Sequence, residues 1–146
     1  MIQVIYEKYN AINTLNERSG EYMFQVDVMS RTPIYEQLIE QMEKFILTGT
    51  LREGDQIPSV RSLSVKLAVN HITILKAYND IANRGLIHSV PGKGYFVSQG
   101  AREKLSAGKR SLLDELSRIA DELALAGISK DEVLKAIDIA YGNGDL

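Results

Sequence analysis

Apolar positions between Ser59 and Val97 form two stripes at helical spacing and then two β-prone runs, which outline three elements. Val60, Leu63, Leu67 and Ala68 recur at helical intervals behind Pro58 and Ser59. Proline suits the lead-in to a helix and serine its N-cap, so a first short helix is predicted over about 59 to 68. Asn70 is the next N-cap candidate, followed by a stripe of Ile74, Ala77, Tyr78 and Ile81 and a stop at Gly85. His71, Thr73 and Lys76 fall off that stripe, near the start of the second helix. The helical spacing then ends. Residues 86–90 and 95–97 are β-prone runs on either side of Pro91-Gly92-Lys93-Gly94, which reads as a hairpin with one cation at its tip. A fold that is mainly α with a small β-hairpin is expected, in the form of a winged helix-turn-helix. In that arrangement the second helix lies in a DNA major groove.

The same reading extends outward. Phe24, Val26 and Val28 alternate with polar residues, the period of a short edge strand. Thr32 is placed to cap a helix with Pro33 at its first position and Glu36 reaching back. That helix buries Leu38, Met42, Phe45 and Ile46 and stops at Gly49, and a turn containing Gly54 leads into the helix pair. Downstream, residues 99–110 are polar and contain Gly100 and Gly108, which marks a linker or a frayed helix start. Leu112, Leu113, Leu116, Ile119, Ala120, Leu123 and Ala124 then form a long apolar face that ends near Gly127. Ser129 opens another helix with Glu132 three residues on, a capping box. Its face is Val133, Leu134, Ile137 and Tyr141, and Gly142-Asn143-Gly144 closes it. Two helices of this length cannot build a core of their own. Their apolar faces are covered either by the winged helix of the same chain or by the same helices of a second chain.

An ordered set of residues carries a family resemblance over about 65 positions. Pro33-x-Tyr35-x-Gln37, Gly49-x-Leu51-x-x-Gly54, Ile57-Pro58-Ser59-x-Arg61-x-Leu63, Thr73-Ile74, Ala77-Tyr78, Gly85-Leu86-Ile87 and Gly92-x-Gly94-x-Phe96-Val97 follow one another in this order. The pattern resembles the DNA-binding domain of GntR-family transcription regulators. Residues 70–78 look most like the YtrA branch, although many relatives carry an arginine where this chain has His71. The resemblance implies a DNA-binding regulator, in its usual mode a repressor that occludes a promoter, and a short C-terminal helical dimerisation region. It also implies phosphate contacts from Tyr35 and Gln37, and a gene that often accompanies those of ABC-type transporters. The expected division is a winged helix-turn-helix over 23–98, a linker over 99–110 and a two-helix dimerisation region over 111–146. Residues 1–22 match nothing in the pattern and form an extension of no assigned role.

Composition changes this picture in two places. The net charge of −2 over 146 residues would argue against nucleic acid if it were evenly spread. It is not: Ser59 to Val97 holds Arg61, Lys66, Lys76, Arg84 and Lys93 against Asp80 alone, whereas 111–146 holds three cations against eight acids. A local basic face is what phosphate binding requires, since each neutralised phosphate releases counterions. The second effect is exclusion. There is no cysteine, and two histidines make no zinc site. No GxGxxG, Walker loop or nucleophile elbow is present, and Gly92-x-Gly94 joins two strands instead of opening a helix. Neither an enzyme nor a cofactor is expected. No run approaches the roughly 20 apolar residues of a membrane span, and no secretory signal is seen, so a cytoplasmic protein is expected.

The candidate DNA-binding residues are therefore Tyr35, Ser59, Arg61, Asn70, His71, Thr73, Lys76, Gly92 and Lys93. Arg61 suits a phosphate or a guanine, bidentately. Tyr35 either touches phosphate or packs on the core, Asn70 is a cap or a base contact or both, and His71 touches DNA or stacks on the turn. Lys76 and Lys93 are phosphate ligands, and Gly92 and Gly94 let the backbone approach closely. The candidate dimerisation residues are Leu112, Leu116, Ile119 and Leu123 with Leu134, Ile137 and Tyr141. A homodimer on a palindromic operator follows, with a small-molecule effector left open; the competing reading is a winged-helix module that binds protein and not DNA.

Overall fold

Eight elements follow one another in a computed structural model that describes residues 24–142. Helices α1 (Ile34–Thr48), α2 (Val60–Leu67) and α3 (His71–Asn83) precede a hairpin of β1 (Ile87–Val90) and β2 (Gly94–Val97). Helices α4 (Ala101–Lys109), α5 (Leu112–Leu125) and α6 (Lys130–Ala140) close the described chain. The expected extension over 1–22, the residue Met23 and the closing Asn143-Gly144 lie outside the described residues. Two compact units are present, divided between Gly108 and Lys109.

In the first unit the predicted stripes of α1 and α3 are core, whereas of the α2 stripe only Leu63 is buried and Ala68, past the helix end, is exposed. Leu38, Met42, Phe45 and Ile46 of α1, Leu63 of α2 and Ile74, Ala77, Tyr78 and Ile81 of α3 are all buried, joined by Leu51, Ile57, Leu86, Ile87 and Val97 from the connections and hairpin. Each large side chain so covered contributes about 1.5–3 kcal/mol. Helix starts follow local chemistry. Ser59 Oγ accepts the Ser62 N–H at 3.0 Å, and Asn70 Oδ1 accepts the Ile72 N–H at 2.9 Å. The turn between α2 and α3 is tighter than the sequence suggests, because Ala68 adopts a left-handed conformation with φ 52°. Ser64 holds it from within, its hydroxyl donating to the Val69 carbonyl at 2.6 Å.

The hairpin pairs Ile87 with Val97 and Val90 with Gly94, antiparallel. A third length of extended chain lies along β2: Val97 N–H donates to the Asp55 carbonyl at 2.9 Å, and Ile57 N–H to the Tyr95 carbonyl at 3.0 Å. Tyr78 ties these pieces together. Its ring meets that of Tyr95 edge-on at 5.2 Å, and its hydroxyl donates to the Pro58 carbonyl at 2.7 Å. Burial, and secondarily the neighbouring Tyr95 phenol, hold that hydroxyl above the usual tyrosine range, so it stays a donor.

Two local expectations are overturned. Residues 24–28 form no strand. Phe24 is buried edge-on against Phe45, but the backbone beside it is paired by side-chain amides instead of a neighbouring strand. Gln41 accepts the Gln25 N–H and donates to its carbonyl, and Gln37 does the same for Asp27. Glutamines one turn apart on α1 thus copy the hydrogen bonds of a strand edge, and Val28 stays exposed. The second concerns residues 99–110, expected as a linker or a frayed helix start: most of the stretch is the helix α4, with Ala101 and Leu105 buried in the first unit. Glu53 Oε1 accepts the Gly100 N–H at 2.6 Å just before its first turn. Two apolar residues one turn apart were too faint a period to read against a polar background. A smaller shift occurs at α1, where Pro33 stands at the N-cap without a side-chain bond and Glu36 accepts from Tyr35 instead of reaching back to Thr32.

The second unit contains α5 and α6. Ser129 and Glu132 form the capping box that their spacing predicts. Glu132 is drawn below its usual carboxylate range, first by the Ser129 N–H and then by the Ser129 hydroxyl. Leu112, Leu116, Ile119 and Leu134 stand half-exposed, Leu123 and Ile137 less so, and Tyr141 is open to solvent.

Candidate nucleic-acid interface

Helix α3 buries one stripe, and at 100° per residue the opposite side carries Ile72, Lys76, Asn79 and Asn83, with Leu75 beside them. His71 is exposed at one margin of this outward face, and Thr73 is half-buried at the other. Asn70 fixes the start of the helix through its cap and is itself exposed, so the capping role is present and its amide nitrogen still has donors to give. Ser59 likewise caps α2 from an exposed position, two residues before the exposed Arg61. Both caps have the same consequence. They satisfy N–H groups at the helix starts, so the first turns of α2 and α3 hold their side chains in fixed directions.

Tyr35 is engaged within the protein in a way the sequence did not indicate. It is half-buried, its hydroxyl donates to Glu36 Oε1 at 2.9 Å, and Lys76 Nζ sits 3.6 Å from the centre of its ring. The aromatic face holds the ammonium in place, a contact of about 0.5–1 kcal/mol at an exposed site. Tyr35 and Lys76, on different helices, are thus brought together as one cationic post. Gln37 is used differently from what the resemblance implied: its amide is spent on the Asp27 backbone and the Thr32 carbonyl.

The basic face holds fewer available cations than the sequence count, with its charge balance unchanged. Arg84 Nη1 pairs with Glu43 at 2.7 Å and its Nε with Asp80 at 3.1 Å, which takes both Arg84 and the region's one acid out of the tally. Arg61, Lys66, Lys76 and Lys93 are left, all exposed. Lys93 rides on the hairpin turn, where Gly92 has φ 75° and Gly94 φ 116°, and Gln56 Nε2 donates to the Lys93 carbonyl at 2.8 Å. A side chain at Gly94 would come within 3.0 Å of that Gln56 amide. Gln56 and Glu43 were not picked out in the sequence, since single polar residues in a connection or on a helix carry no periodicity. His88 bonds Ser98 at 3.1 Å through Nδ1 and serves the hairpin.

Residues 34–97 match the sequence profile described as bacterial regulatory proteins, gntR family. The HTH-type transcriptional repressor YtrA of Bacillus subtilis (strain 168) is 36% identical over 112 residues, which cover 76% of this chain and 86% of that one. The chain belongs to the gntR family. Solved structures agree in shape. A GntR family transcriptional regulator from Listeria monocytogenes superposes with a TM-score of 0.63 at 30% identity, covering 77% of this chain and 97% of that one. YtrA from Sulfolobus acidocaldarius, a GntR-family transcription factor, does so with a TM-score of 0.53 at 34% identity, covering 72% and 99%. This gntR-family chain is a DNA-binding transcription regulator and not an enzyme, and its fold is the winged helix-turn-helix expected. No described helix is long and apolar enough to cross a membrane.

Proposed function

We propose that this regulator is a repressor that binds a palindromic operator as a homodimer. In each half-site α3 enters the major groove, with Asn70, His71 and Thr73 toward the bases. Arg61 takes a phosphate or a guanine, Ser59 and the Tyr35–Lys76 post meet backbone, and Gly92 and Lys93 lay the wing on a neighbouring phosphate. The apolar faces of α5 and α6 join the two chains and set the half-site spacing; occlusion of a promoter follows from occupancy. The name of the Bacillus relative supports repression, and the resemblance extends the proposal to the operon of an ABC-type transporter.

One observation supports the reading most. Arg61, Lys76 and Lys93 come from three separate elements and are all exposed, while the one acid between Ser59 and Val97, Asp80, is tied to Arg84. Duplexes selected from a random library by the full chain, then titrated at several salt concentrations, provide the test. Arg61→Ala is expected to weaken binding by about 1–3 kcal/mol at fixed salt. Unchanged affinity removes Arg61 from the interface, and failure to enrich any duplex favours the protein-binding module.

A further inference from the structure

The outward face of α3 carries a feature that phosphate binding does not explain. Ile72 lies almost directly opposite the buried stripe of Ile74, Ala77, Tyr78 and Ile81, in the first turn of the helix. It is 63% exposed, and Leu75 beside it is 36% exposed. Stability of the helix does not call for Ile72. Isoleucine is a weaker helix former than lysine or glutamine, and Ile72 is not part of the core. Lys76 flanks them, steadied on Tyr35. In the first turn of α3 the middle of the outward face is therefore apolar, at Ile72, while Lys76, Asn79 and Asn83 continue the same face along the helix.

We propose that Ile72, with Leu75 next to it, reads the C5-methyl group of thymine in the major groove; the inference rests on the DNA-reading role of α3 proposed above. The four base pairs differ in what they offer there. Only the thymine edge presents a methyl group, whereas guanine, cytosine and adenine present donors and acceptors that an aliphatic side chain cannot satisfy. A cytosine N4 amine under Ile72 loses its water without gaining a partner, so the same contact that favours thymine disfavours cytosine. The geometry is fixed as well as complementary. Asn70 caps the Ile72 N–H at 2.9 Å, and a β-branched side chain in a helix keeps essentially one χ1 rotamer. The methyl groups of Ile72 are thus presented in one direction, which a flexible lysine or glutamine at this position would not achieve.

The experiment uses the full chain and the duplex it selects from a random library built with the four standard bases. Each thymine of that duplex is replaced in turn by deoxyuridine, which differs only by the methyl group. At one or two positions in each half-site the replacement is expected to weaken binding about threefold to fivefold per methyl removed. Ile72→Ala is expected to bind the thymine duplex more weakly and to lose the deoxyuridine penalty at one of those positions, while Ile72→Val keeps most of it. Leu75→Ala is expected to lessen the penalty at a neighbouring position. Because Ile72 is outside the core, thermal melting of its variants is expected to match the parent. Installing 5-methylcytosine in place of cytosine at the Ile72 position of a weakened duplex is expected to recover part of the loss. An enriched duplex that tolerates deoxyuridine everywhere, or a penalty of the same size in Ile72→Ala, overturns the methyl assignment alone. The absence of any enriched duplex overturns the DNA-reading role itself.

Discussion

Residues 24–108 and 109–142 are built from the same kind of amphipathic helix and end in different states. In the first unit the apolar stripes of α1 and α3 are covered. α1 and α3 each bury four residues, and polar groups that come inside are answered, as the Tyr78 hydroxyl is by Pro58. In the second unit neither α5 nor α6 has a fully buried residue, and Leu112, Leu116, Ile119 and Leu134 all stand at least 42% exposed. Periodicity states which face of a helix is apolar and says nothing about what covers it. The first unit has enough chain, in three helices, a hairpin and α4, to close around a core. Two helices of 14 and 11 residues do not.

The largest test of this contrast is to break the second unit's face. Leu116→Lys together with Ile119→Lys replaces four apolar side chains in a dimer, two per chain; each is 42% exposed in the single chain, so at 1.5–3 kcal/mol per fully buried side chain the loss is about 2.5–5 kcal/mol. Sedimentation velocity is expected to show a dimeric parent and a monomeric double variant, with melting of residues 24–108 unchanged and full-operator binding reduced toward that of a half-site. A parent that sediments as a monomer at micromolar concentration removes the dimer from the mechanism.

A pair of tyrosines sharpens the comparison next. Tyr78→Phe leaves the Pro58 carbonyl without its donor inside the first unit and is expected to cost about 1–3 kcal/mol in a urea melt. Tyr141→Phe, at the exposed end of α6, is expected to stay within about 0.5 kcal/mol. Equal effects would mean that the two regions are covered alike.

Smaller again is the backbone contrast between two helix ends. Ala68 is left-handed, so Ala68→Gly relieves strain of about 1 kcal/mol, partly offset by the freedom glycine adds to the unfolded chain. The variant is expected to melt at or slightly above the parent. Ala126, at the end of α5 with φ −78°, has no such strain to release, and Ala126→Gly is expected to destabilise its helix by about 0.5–1 kcal/mol. Circular dichroism of the two variants reads the sign directly.

The smallest effect concerns Glu132 in the exposed capping box. Its carboxyl is held below the ordinary value of 4.5 in the folded protein by the Ser129 N–H and hydroxyl. A depressed folded value means stabilisation that is present above the unfolded value and is lost as pH falls through the folded one. Fraying of the first turn of α6 is therefore expected only below the usual carboxylate range, and Glu132→Gln is expected to remove that dependence. Glutamate side-chain shifts in a pH titration by nuclear magnetic resonance measure it; a titration at the ordinary value would show that the box does not hold in solution.

Local chemistry determined much of this protein before any tertiary contact was considered. The stripes of α1 and α3, the caps at Ser59 and Asn70, the capping box at Ser129 and the hairpin around Gly92 and Gly94 are short-range consequences of residue type and spacing, and the ordered motifs between Pro33 and Val97 carried the family with them. What needed the tertiary structure was everything decided between distant residues. Arg84 looked like part of the basic face until Glu43, 41 residues away, took it. Tyr35 and Lys76 are likewise 41 positions apart and become one post only when α1 and α3 pack together. Residues 24–28 read as a strand because alternation cannot show whether a strand is there to pair with, and the glutamines of α1 took that place. Ala101 and Leu105 read as linker because two apolar residues gain their meaning from the surface they cover. Ile72 divides between the two. The 100° spacing that gives the α3 stripe already sets it on the opposite side, but only packing of the first unit shows that nothing covers that side.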